Sequence, residues 1–162
     1  MKKIICIMIF AMAFSLSAQN IPDGSNIIII TTKDKTESTF RNFARILVKE
    51  GFVLETTEPI LLILTTKIKD RSYGFLGGGT VRIKLSAQVD QMDSASQITL
   101  TGIFDDPGIS KAMGIKSDMF DKDAIVISSG SSSSSSKGAA WKIMDEVAKK
   151  YKDAIIKYDE KK

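Results

Sequence analysis

The chain has 162 residues, of which 43% are apolar and 26% are charged, and its formal net charge is +4. A chain of this length can bury a core as one ordinary domain. It contains no histidine and one cysteine, which excludes a Ser-His-Asp triad, a Cys-His nucleophile, histidine-ligated metal sites and a disulfide framework. These counts point to no remaining catalytic chemistry, so we expect no enzyme activity, no cofactor and no metal site.

Residues 1–18 have the pattern of a secretory signal peptide. Lys2 and Lys3 form a positive n-region, residues 4–14 form an apolar h-region, and Ala18 ends a run of small residues before Gln19. The apolar run is shorter than the roughly 20 residues that cross a bilayer. We therefore expect an exported protein, periplasmic or secreted; the alternative is an N-terminal membrane anchor.

Removal of residues 1–18 would leave 21 basic against 19 acidic side chains and no cysteine. A net charge of +2 is not the clustered basic excess that nucleic-acid binding needs. Export also argues against nucleic acid and nucleotides as partners. For the rest of the chain we expect an N-terminal lead at 19–25, one domain at 26–158 with a serine-rich loop at 128–136, and a charged tail at 159–162.

The first predicted elements are a strand over 26–32 and a helix over 36–50. Asp34 is a candidate N-cap, because Glu37 follows it at the spacing of a capping box. Gly51 is a natural C-terminal stop. Between Asp34 and Gly51, apolar residues recur at helical spacing, namely Phe40, Phe43, Ala44 and Leu47.

Four further strands are predicted, over 52–57, 60–66, 81–89 and 97–104. The third alternates apolar with polar residues, which is typical of a strand with one buried and one wet face. A long helix is expected from about Gly138. Its apolar stripe contains Trp141, Met144, Ala148 and Tyr151. For residues 155–158 the sequence leaves helix and short strand open.

The predicted order is therefore β-α-β-β-β-β-α. Strands joined by short turns pair antiparallel, and two helices with single apolar stripes cover one face of such a sheet. The expected fold class is α+β: a two-layer sandwich with an antiparallel sheet and both helices on one face.

The strands carry more apolar residues than one covered face needs. Residues 27–30 and 60–64 are apolar on both parities, and we expect Leu62 and Leu64 to point away from the helices. A contiguous exposed apolar surface marks an interface, which favours self-association or an envelope protein as partner. The alternative is that residues 109–127 fold back over this surface, with Ile125 and Ile127 as anchors.

The segment 74–80 has the glycine spacing of a phosphate loop but lacks the lysine that reaches the phosphates. A strand follows it instead of a helix. The simplest interpretation is a hairpin loop. Tyr73, Phe75 and Leu76 would give that loop an exposed apolar tip, which is a candidate partner-binding site.

The pattern resembles the helix-grip and TBP-like βαββββα domains of small exported bacterial proteins, including the repeat domain of the lipoprotein C subunit of the outer-membrane β-barrel assembly machinery. The resemblance rests on the stripe Phe40, Phe43 and Leu47, the Gly51-Phe52 step, and the last helix with Trp141. It implies a scaffold or binding module without catalytic residues. The alternative function is a carrier of a small apolar ligand or lipid between sheet and helices.

We predict that residues 1–18 are absent from the mature protein. The positive n-region, the apolar run and the small residues before Gln19 together form a cleavable leader. N-terminal sequencing of the protein from envelope fractions should begin at Gln19. Recovery of a chain that begins at Met1 would contradict export by cleavage.

Overall fold

The computed structural model of the chain describes residues 21–74, 79–108, 124–132 and 134–160. The elements in chain order are β1 Ile27–Thr32, α1 Thr36–Lys49, β2 Leu54–Glu58, β3 Ile63–Thr66, β4 Lys69–Tyr73, β5 Gly79–Gln91, β6 Ser96–Asp105, β7 Ile125–Val126, α2 Ser136–Lys149 and β8 Ile155–Asp159. No helix in these ranges is long and apolar enough to cross a membrane.

The eight strands form one antiparallel sheet in the order β2-β3-β5-β6-β1-β8. The short strand β4 pairs with β5 on the same edge as β3, further along the strand. In the same way, β7 pairs with β6 on the same edge as β1. In the described residues two helices cover one face, so the predicted α+β architecture and its order are confirmed, with β4, β7 and β8 added.

The centre of the sheet is the hairpin of β5 and β6. These strands pair over ten consecutive positions, from Arg82 opposite Asp105 to Gln91 opposite Ser96. The predicted alternation of β5 is confirmed, because its odd-numbered residues from Val81 to Val89 are all at most 2% exposed. We call the face that they line the helix side, and the opposite face the open face.

Helix α1 places the predicted stripe on the helix side. Phe40, Phe43 and Leu47 are buried, and Gly51 follows the helix with a φ of +77°, which suits glycine. The expected N-cap at Asp34 is wrong: Lys35 occupies the cap position without a side-chain hydrogen bond. The carboxylate of Asp34 instead accepts a hydrogen bond from the Tyr151 hydroxyl at 2.8 Å, a contact from a distant part of the chain.

Helix α2 begins inside the serine-rich segment. The hydroxyl of Ser135 accepts a hydrogen bond from the Gly138 backbone N–H at 3.1 Å and so caps the helix. Trp141 is 8% exposed, and its ring lies 5.8 Å from that of Tyr158. Trp141 is therefore part of the core, and residues 155–159 form a strand.

The predicted strand at 60–66 begins later than expected. Residues 59–62 form a turn in which Leu62 has a φ of +54°, and β3 starts at Ile63. This turn reverses the expected parity, because Leu64 is fully buried on the helix side while Ile63 lies on the open face. The outward orientation of Leu64 is therefore wrong.

The two proposed anchors also lie elsewhere. Ile127 is fully buried, and its Cδ1 would be 2.7 Å from a Cβ added at Gly102. Gly102 pairs with Leu85, so Ile127 packs on the helix side and does not cover the open face. Ile125 is 57% exposed. The rest of the proposed cover, residues 109–123, lies outside the described residues.

The buried side chains form a single cluster between the helices and the sheet. It contains residues of the predicted α1 and α2 stripes and of the buried face predicted for strand 81–89, namely Phe43, Leu47, Trp141, Met144, Val81, Ile83 and Leu85. The helix side is thus filled by the protein's own side chains.

Replacing Leu85 with alanine should lower the free energy of unfolding by about 2–5 kcal/mol, because it leaves a cavity in a packed core. Leu85 is 1% exposed at the centre of β5. Urea denaturation measures the change, and Gln88→Ala on the open face of the same strand is the control, with an expected change within about 0.5 kcal/mol. Equal effects of the two substitutions would contradict the assignment of faces.

Candidate functional site

The open face presents side chains from strands that are far apart in sequence. The register aligns Thr65, Ser86 and Thr101 in one row across β3, β5 and β6. The next row aligns Lys84, Ile103 and Val126 across β5, β6 and β7. A surface built this way depends on the whole sheet, because no two of its strands except β5 and β6 are joined by a short turn.

These two rows enclose a concavity of about 440 Å³, which we call the open-face concavity. Its lining residues are Asn26, Ile27, Thr65, Lys84, Leu85, Ser86, Thr101, Gly102, Ile103 and Val126. Branched apolar side chains and hydroxyl groups dominate this lining. The volume lies in the range of sites that hold small ligands or a partner's side chains.

The charged groups near the open-face concavity form ion pairs. The Lys84 ammonium lies 2.9 Å from a carboxylate oxygen of Glu55, with the two side chains 22% and 44% exposed. One row further along, Arg82 pairs with Asp105, and both side chains are largely buried. Since each cation has an acidic partner, this end of the face offers no uncompensated charge to an ion.

The hydroxyl groups of the lining are available for hydrogen bonds. Thr101 donates a long hydrogen bond of 3.5 Å to the Ser86 carbonyl. The side chains of Thr65 and Ser86 make no hydrogen bond within the described ranges. The concavity can therefore contact an apolar group and satisfy a few polar atoms around it.

The structure separates the residues that the sequence nominated for partner binding. Tyr73 is half-buried on the helix side of β4, and its hydroxyl donates to Asp106 Oδ2 at 3.1 Å. Leu62 is half-buried in the turn before β3, where its carbonyl accepts a hydrogen bond from the Val89 N–H at 3.0 Å. Leu64 is in the core, and Phe75 and Leu76 lie outside the described residues.

The expected surplus of apolar residues on the open face is present in β1, β6 and β7 and not at Leu62 and Leu64. Ile27, Ile29 and Ile103 are half-buried there, and Val126 is 51% exposed. Of these residues, Ile27 and Ile29 lie in the range 27–30 that the sequence predicts to be apolar on both faces of the strand. The contribution of β7 and the Lys84–Glu55 pair could not be predicted, because both depend on contacts between distant segments.

A second polar feature is shared by all three tyrosines of the chain. Each donates its hydroxyl to an aspartate: Tyr73 to Asp106, Tyr151 to Asp34 and Tyr158 to Asp145. Burial first, and the neighbouring carboxylate in addition, raises the pKa of the Tyr158 hydroxyl. Burial likewise raises the pKa values of Tyr73 and Tyr151. At neutral pH these phenols are hydrogen-bond donors that join elements together.

The remaining chemistry of the described residues is limited. They contain no cluster of three or more carboxylate or thiol side chains that could hold a metal ion. No family model and no curated protein matches the chain. The open-face concavity is therefore the feature from which a function can be argued.

The raised pKa of Tyr158 predicts a loss of stability at alkaline pH. A tyrosine in the unfolded chain ionises near pH 10, whereas the folded protein holds the proton to higher pH. The unfolded state therefore binds fewer protons in this window, and the free energy of unfolding falls as pH rises above about 10. Below that pH the contribution is fully present.

Urea denaturation from about pH 9 to about pH 12 should show a smaller fall for Tyr158→Phe than for the native chain. The lysines are the same in both proteins, so their titration cancels in the comparison. Identical slopes would contradict the raised pKa of the Tyr158 hydroxyl in the folded protein.

Proposed function

We propose that this protein is a non-catalytic, exported envelope protein that acts as an interaction module and binds a partner protein at the open-face concavity. The observation that carries the proposal is the uneven use of the sheet. The helix side is filled with buried side chains, whereas the open face holds a concavity of about 440 Å³ with an apolar and hydroxyl lining. Export is supported by the leader pattern of residues 1–18.

The size of the concavity suggests how such a partner would bind. A stable protein interface covers about 800 Å² on each side, which is more than one concavity can provide. Binding energy in an interface is concentrated in a few anchor side chains that enter well-packed pockets. Ile27, Ile103 and Val126 would contact the apolar part of an anchor, and the hydroxyls of Thr65 and Ser86 would bind polar atoms at its rim.

The ion pairs beside the concavity support recognition of an uncharged anchor. Lys84 is held by Glu55 at 2.9 Å, so an acidic anchor would have to compete with an existing carboxylate. Desolvating a charge that gains no new partner costs free energy. An aromatic or branched aliphatic side chain avoids this cost. The resemblance to helix-grip domains, which implies a scaffold or binding module, points in the same direction.

We predict that Thr101→Arg lowers partner capture from an envelope extract by at least about tenfold. The longer, charged side chain would occupy the concavity that Thr101 lines. Gln88→Arg is the matched control. Gln88 is exposed on the open face, as a residue of the neighbouring strand β5, but it does not line the concavity. Captured proteins are identified by mass spectrometry and compared for the native chain and both variants.

The free energy of unfolding of each variant shows whether a loss of capture comes from unfolding. If Thr101→Arg is destabilised, Val126→Arg at the exposed rim serves as a second blocking substitution. Loss of capture with Thr101→Arg or Val126→Arg, but not with Gln88→Arg, supports the proposal. Equal capture by all variants would contradict it. Self-association would be visible as a doubled mass in solution that the blocking substitutions abolish.

A carrier of a small apolar ligand is the second candidate function, and the lining of the same concavity favours it. Such a ligand would lie on the open face, since the space between sheet and helices is packed with buried side chains. Native mass spectrometry of the purified protein would then show an adduct that Thr101→Arg removes. A single unliganded mass under gentle ionisation would contradict this second candidate.

A further inference from the structure

A second surface lies on the helix side, at the edge of the sheet formed by β2. Here α1 and β2 enclose a groove of about 340 Å³, which we call the α1–β2 groove. Its lining residues are Ala44, Arg45, Val48, Lys49 and Leu54. Val48 is a branched apolar residue that is 55% exposed at the groove, next to Leu47 but outside the buried stripe of α1.

Strand β2 has an outer edge that can accept another strand. It is the terminal strand of the sheet and pairs only with β3 among the described strands. The outer backbone groups of an edge strand are a template for an added strand, whose main-chain hydrogen bonds supply affinity while alternate side chains enter neighbouring pockets. The α1–β2 groove is such a pocket, because it runs beside this edge.

The rim of the groove carries two basic side chains. Arg45 and Lys49 are one helical turn apart, and neither forms an ion pair or side-chain hydrogen bond within the described ranges. Arg41, the preceding basic residue on α1, does form an ion pair, because its guanidinium lies 3.5 Å from a carboxylate oxygen of Glu37. Lys150, near the end of α1, likewise lies 3.7 Å from Glu50.

The acidic residues of β2 do not neutralise this rim. Glu55 follows Leu54 in the strand and therefore lies on the open face, where it pairs with Lys84. Glu58 is opposite Ile63 on the same face. A second copy of this strand would present Leu54 and Thr57 toward α1, and neither carries a charge. The rim therefore complements an acidic segment of another protein better than it complements a second copy of this chain.

We propose that the α1–β2 groove binds an extended acidic segment of a partner protein, which adds as a strand to the outer edge of β2. An apolar side chain of the segment lies against Val48 and Leu54. Acidic side chains two positions away lie on the same side of the added strand and reach Arg45 and Lys49. This site is separate from the open-face concavity and does not depend on the function proposed for it.

The test uses the full protein and a display library of random nonapeptides as the probe. Selection is carried out on the native chain and on the charge-reversed variant Arg45→Glu/Lys49→Glu. The native chain should enrich peptides with an apolar residue and acidic residues two positions from it. The charge-reversed variant should enrich basic residues at those positions, because only the sign of the rim has changed.

Affinities of the best acidic peptide are then measured by calorimetry. We expect binding to weaken by at least about tenfold for the charge-reversed variant and for Val48→Asp. N-methylation of alternate peptide residues tests the added strand: one of the two alternating patterns should abolish binding, and the other should retain it. Arg41→Glu, one turn along α1 and outside the groove lining, is the matched control and should keep native affinity.

Absence of enrichment, the same peptides selected on both proteins, or equal affinity for both N-methylated patterns would each overturn the proposal. Thr101→Arg separates the two surfaces, since it should leave peptide affinity unchanged. A failure of peptide binding would therefore overturn only the proposal for the α1–β2 groove. A failure of Thr101→Arg to lower partner capture would overturn only the proposal for the open-face concavity.

Discussion

The long antiparallel pairing of β5 with β6 is the constraint on which the rest of the fold depends. Ten consecutive residue pairs align these strands, and the other strands attach to one or other of them directly or through a neighbour. Both helices contact both strands. Because side chains alternate along a strand, this one hairpin assigns every second residue to the helix side and the rest to the open face.

That assignment separates the buried core from the open face of the sheet. On the helix side, Val81 to Val89 and the stripes of α1 and α2 form one buried cluster, where free energy comes from apolar burial. On the open face, the Lys84–Glu55 ion pair connects β5 to β2 across the intervening strand β3, and Lys84 also lines the open-face concavity. Substitutions on the open face therefore leave the side chains of the buried cluster unchanged.

The sequence could predict the elements whose signal is local. The alternation of β5 and the helical spacing of Phe40, Phe43 and Leu47 identified the correct faces of these elements. The sequence could not predict which residues of β3 face the helices. The turn before β3 extends to Leu62, which has a left-handed backbone conformation, so the strand starts only at Ile63. Strand β4 was also missed, since its charged residues do not resemble a core strand.

The cations of β4 are explained only by a long-range contact. Lys69 and Arg71 face the helices and both donate to the backbone carbonyl of Glu50 at the end of α1, at 2.7 and 2.6 Å. Both also lie over the Phe52 ring. The open-face concavity was beyond local signals for the same reason, since its lining comes from five strands and the residue before β1. Sequence patterns report periodicity within a segment, whereas these sites arise from the register between segments.

Amide hydrogen exchange of the native protein tests the central role of the β5–β6 hairpin most directly. Amides that exchange only through global unfolding report the most stable part of a fold. We expect the ladder amides between Arg82 and Gln91, with their partners in β6, to exchange slowest, and those of the outer strands β2 and β8 to exchange faster. Faster exchange in the hairpin than in β2 and β8 would contradict the account.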